Sequence, residues 1–167
     1  SPKVIGAPQV WGPTLATAGQ GVKVAVIDDG VDQTHPFFSP AGFTMPAGYP
    51  KGDTTFTTSK VIVARAFAPP SPKWKYAGLP FDPENSEHGT HVAGTVGAID
   101  NASGVVGVAP GVRLWAVKIL DDSGEGLLSW YVCGLDWIAA QHDPNDASRP
   151  LFEAVNMSVA KWGHDDL

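Results

Sequence analysis

The sequence predicts an α/β domain built on a mainly parallel sheet. Two observations carry that prediction. A short, β-branched apolar run of strand length, Val22 to Ile27, reads as a strand covered on both faces. Further strand candidates alternate with segments of helical character, as in a mainly parallel sheet.

The first run is Val22 to Ile27, which stops at the turn signal Asp28-Asp29-Gly30. Val61 to Phe67, Leu114 to Leu120 and Glu153 to Val159 read as three further strands. Gly89 to Ile99 reads as a buried helix of small residues. Its glycines are poor for isolated helicity, so tertiary packing must hold it. Leu127 to Ala140 is the clearest helix, with Leu128, Tyr131, Val132, Leu135, Ile138 and Ala139 at i, i+3, i+4, i+7 spacing. It is expected to end near Asp143-Pro144. Residues 38–60 are rich in Gly, Pro, Ser and Thr. Residues 69–86 hold five prolines, at 69, 70, 72, 80 and 83, which forbid regular structure. The stretch 38–86 therefore reads as a loop-rich insertion near the site.

Composition narrows the function classes. The 167 residues suffice for one domain with a core, with 43% hydrophobic and 17% charged residues. A net charge of −6 disfavours nucleic-acid partners. No apolar run approaches the ~20 residues of a membrane span. With one cysteine, Cys133, no internal disulfide forms, and its apolar surroundings predict a buried, inert thiol. No leader precedes Ser1, so the chain reads as cytosolic or as a mature exported form.

Two motifs carry chemistry. Val24-Ala25-Val26-Ile27-Asp28-Asp29-Gly30 puts a carboxylate at a strand end, where sites of parallel sheets gather. His88-Gly89-Thr90-His91-Val92-Ala93-Gly94-Thr95 puts an imidazole at a helix start. If Asp28 and His88 meet, the carboxylate fixes the tautomer. The second ring nitrogen is then free to take a hydroxyl proton, which activates a nucleophile. Taken singly, a strand-end aspartate is usually a turn cap. His88 and His91, at i, i+3, would be metal ligands in a metal-dependent hydrolase, but no third ligand has helical spacing. His35 is expected to orient the turn after Asp28, and His142 and His164 to be exposed.

These motifs resemble the subtilases, the subtilisin-like serine proteases. Further matching runs follow in the family's order: IDNASGVVGVAPGVRLWAVKIL, GEGLLSWYVCGLDW and VNMSV. The resemblance implies a three-layer subtilisin-like domain, of which this chain is the N-terminal part, and a serine endopeptidase acting on polypeptides. It implies Asp28 and His88 as the catalytic aspartate and histidine, with His91 structural. No serine here, Ser103, Ser123 and Ser158 included, has the family's nucleophile setting, and Asn156 is not the oxyanion residue. The missing serine and asparagine are therefore expected on a second, C-terminal fragment of the same domain, after a break in the polar stretch His164-Asp165-Asp166-Leu167. Without it the chain is expected to be inert; a non-catalytic binding or inhibitory module is the competing reading.

The resemblance also implies a groove in which substrate adds as a β-strand between Gly124-Glu125-Gly126 and Ser158-Val159-Ala160, with Leu120 and Leu128 lining a distal apolar pocket. Ala160 replaces a usual glycine, and Glu125 implies some preference for basic side chains. A structural calcium loop is implied at Ile99, Asn101, Ser103 and Val105, weakened because His35-Pro36 is followed by Phe37 instead of a carboxylate. Many subtilases carry Thr or Ser where Asp29 stands. The family implies an extracellular, secreted protein.

Overall fold

The structure is a computed structural model that describes residues 2–71, 74–84, 86–102, 104–143 and 145–160. Its centre is a five-stranded, wholly parallel sheet in the order β2-β3-β4-β1-β7. The strands are β1 (Lys23–Asp28), β2 (Lys51–Gly52), β3 (Val61–Ala66), β4 (Arg113–Lys118) and β7 (Ala154–Met157). β5 (His142–Asp143) and β6 (Asp146–Pro150) form a separate antiparallel pair. The two helices are α1 (Glu87–Gly97) and α2 (Leu128–Ala139).

Alternation along the strands explains the layers. On β1, Val24 and Val26 face one side, where they join Leu114, Ala116 and, from α1, Ala93. Ala25 and Ile27 face the other, with Trp115, Val117 and, from α2, Ile138. Each helix thus covers one face, giving the helix–sheet–helix arrangement the sequence predicts. On β3 the register slips between Val61 and Val63. This bulge lets Val61 and Ala64 serve one core while Ile62 and Val63 serve the other.

All four predicted strands and both helices form, with ends shifted by one or a few residues. The 38–86 stretch is not wholly peripheral. β3 lies inside it with Val61, Ile62 and Val63 fully buried, and β2 extends the sheet from it. Two expectations for α2 fail. Cys133 is exposed, because the face packed on the sheet runs through Gly134, Leu135 and Ile138. Leu128 and Val132, predicted on the buried stripe, are likewise exposed. His142 is exposed as expected, whereas His164 and the stretch 164–167 lie outside the described residues.

Candidate active site

β1 lies between β4 and β7 and ends at Asp28, which is 1% exposed. Its Oδ1 accepts two hydrogen bonds, from the Asp29 N–H (2.8 Å) and from His88 Nδ1 (2.7 Å). Oδ2 is buried and accepts none from the described residues. A buried carboxylate so poorly satisfied attracts positive charge strongly. His88 answers that demand: the Asp28 hydrogen bond holds its imidazole above its ordinary pKa, outweighing partial burial. The ring's other side is open, since 57% of the His88 side chain is exposed.

Asp29 was not singled out for the site by sequence reasoning. It is 5% exposed. Oδ1 accepts the Gly89 N–H (2.7 Å) and Oδ2 the His88 N–H (3.2 Å). Burial, with Asp28 nearby, pushes its carboxyl up to about 6 despite those two bonds. Ser86 joins the same knot: its Oγ donates to the Asp29 carbonyl (2.6 Å) and accepts from the Asp82 N–H (2.9 Å). The only sequence signal for Asp29 was the unusual Asp-Asp doublet.

Seven of the eight predicted substrate-contacting residues line one continuous groove. A cleft of about 370 Å³ is bounded by Asp29, His88, Leu120, Gly124, Ser158, Val159 and Ala160. Leu120, Val159 and Ala160 also bound an adjoining apolar cavity of about 360 Å³, completed by Ile119, Gly126, Leu127, Leu128 and Tyr131. The exposure of Leu128 follows from its place in this wall. Glu125 stands outside both linings, exposed in a turn whose Asp121 N–H donates to its carbonyl (2.6 Å). Gly126 lacks a side chain for a local reason, since a Cβ there would strike the Ile119 carbonyl.

His91 is exposed and lines a different cavity, with Asp32 and His35. His35 Nδ1 accepts from the Phe37 N–H (3.2 Å) and so caps the helical turn at Pro36–Phe38. Among the described residues no cluster of three or more His, Cys, Asp or Glu side chains could hold a metal ion. The predicted calcium loop is tied to the 35–38 turn: Ile99 N–H donates to Phe37 O (2.9 Å) and Asn101 Nδ2 to Pro36 O (3.3 Å). Val105 is exposed, and Ser103 lies outside the described residues. The donor chemistry, carbonyls and an amide, suits a hard cation. The Phe37 ring, packed on His35 with centroids 4.2 Å apart, adds no charge.

Comparison of the chain with known proteins identifies its family. The family model described as the subtilase family matches residues 19–164. Subtilisin E of Bacillus subtilis (strain 168) is 33% identical over 157 residues, which is 92% of this chain and 32% of that protein. Subtilisin of Bacillus pumilus is also 33% identical, over 92% of this chain and 44% of its own length. Subtilisin Savinase of Lederbergia lenta is 38% identical over 151 residues, 86% of this chain and 45% of the relative. The chain thus spans 32% to 45% of the length of these relatives, and over that span, with Asp28 and His88 joined at the sheet end, it belongs to the subtilase family.

Proposed function

We propose that this chain supplies the aspartate and histidine of a serine endopeptidase, and that a further polypeptide segment supplies the serine. The observation that carries the reading is the 2.7 Å contact between His88 Nδ1 and buried Asp28 Oδ1 on the wall of an open cleft. In the completed site the serine Oγ attacks the peptide carbonyl while His88 Nε2 takes its proton. His88 then gives that proton to the leaving amine as the carbon–nitrogen bond breaks. Asp28 keeps Nδ1 protonated and stabilises the imidazolium. Oxyanion donors come from the further segment. The polypeptide substrate lies extended between Gly124–Gly126 and Ser158–Ala160, whose shared cleft supports this placement. An extracellular location belongs to the same proposal; among the described residues no helix is long and apolar enough to cross a membrane.

A fluorophosphonate probe tests the reading on the native protein. Labelling of a serine on the further segment, abolished by His88→Ala in this chain, is expected. Absence of label from native, folded material would leave a non-catalytic subtilase-like module as the better account.

The same reading includes a weak structural calcium ion held by Ile99, Asn101, Ser103 and Val105, which would brace the loop and take no part in the chemistry. Titration calorimetry after chelation is expected to show one weak site, weakened further by Asn101→Ala. No heat on calcium addition excludes it.

A further inference from the structure

The first turn of α1 carries His88 but has no local cap. Ser86, at the N-cap position, makes no side-chain bond to the helix. A helix start leaves its first N–H groups without intrahelical partners. Here those of His88 and Gly89 are taken by the Asp29 carboxylate, 59 and 60 residues away in sequence. The fit leaves no slack. A Cβ on Gly89 would strike the Gly30 carbonyl and come within 2.7 Å of Asp29 Oδ1. The imidazole itself is more than half exposed, so packing does not hold it. Its position depends on the Asp28 bond at one end and on the backbone at the other.

We propose that Asp29 is a positioning residue for the peptidase reaction: by gripping the His88 and Gly89 N–H groups it fixes the place from which the His88 imidazole exchanges protons. This rests on the triad reading given above. The grip ties the two motifs into one body, because Asp28 and Asp29 are adjacent and each holds a different part of His88. A displacement of about 1 Å at a proton-transferring group lowers turnover by roughly 100-fold.

The groups facing Asp29 are Asp28, His88 and the buried Lys118 of β4. Burial, the largest influence, raises the Asp29 carboxyl to about 6. For an acid whose folded pKa lies above its unfolded one, the folded state is favoured by protonation. That stabilisation is present at low pH and is lost as pH rises through about 6. Holding Asp29 ionised therefore costs stability at neutral pH.

The test uses the whole active protein and compares wild type with Asp29→Asn and Asp29→Ser. For Asp29→Asn, kcat is expected to fall roughly 10- to 100-fold with KM changed by less than about twofold. As pH rises toward about 6, wild type should lose stability that Asp29→Asn does not, so the melting-temperature difference between them should shift in the variant's favour over that range. An unchanged kcat overturns the proposal, as does a lost kcat that tracks a lost melting temperature. An inactive, probe-silent wild type overturns the peptidase reading and this proposal with it; an active wild type with unaffected variants overturns only this one. If neither variant folds, amide hydrogen exchange in wild type decides. Protection at both His88 and Gly89 supports the grip, and unprotected exchange at either overturns it.

Discussion

The His88 imidazole is held by one strong neighbour and otherwise largely faces solvent. The Asp28 carboxylate raises its pKa, which has opposite consequences for stability and for catalysis. The ion pair contributes stability below the unfolded value of about 6.5 and loses it as pH rises through the higher folded value. The proposed peptidase needs the other form, because only neutral imidazole accepts a proton. The acid limb of kcat/KM against pH is therefore expected to have its midpoint above 6.5. Asp28→Asn removes the hydrogen bond that raises it and unfixes the tautomer. That variant should move the midpoint down and lower kcat by roughly 10⁴-fold. A midpoint unmoved by Asp28→Asn would mean that the 2.7 Å contact does not set the basicity of His88.

At the level of elements, legibility follows from what each signal depends on. β1, β3 and β4 were readable because strands covered on both faces must be apolar throughout. β2 was not, since two residues, Lys51 and Gly52, carry no periodicity; the strand exists because β3 offers an edge. The β5–β6 pair is almost wholly exposed and sits where the sequence predicts only a helix end. In α2 the apolar stripe was legible but its orientation was not. Two apolar surfaces compete for it: the sheet takes Gly134 and Ile138, and the groove takes Leu128. The positions of Asp28 and His88, and of seven of the eight residues placed along the proposed groove, were legible because they follow family motifs. The Asp29 grip was not, because it depends on the approach of a turn to a helix start 60 residues away.

The whole molecule has one side that its described residues leave unfinished. β7 pairs with β1 through Val24–Ile27, and its outer edge has no partner strand among the described residues. Near that edge Met157 is exposed and touches the Tyr131 hydroxyl through Sδ. Leu127, Leu128 and Val132 on α2 are exposed as well. A free parallel edge beside apolar side chains is unfavourable in water and invites association. The serine-bearing segment of the proposed enzyme meets this need if it adds strands beyond β7, which would also bring it to the end of the sheet where His88 waits. The 167-residue polypeptide produced by itself is therefore expected to bind an apolar dye, to self-associate and to melt without a sharp transition. Addition of the further segment should suppress dye binding and sharpen the melt. Centrifugation and calorimetry decide the matter: a monomer that melts cooperatively without any second segment would show that the β7 edge needs no completion.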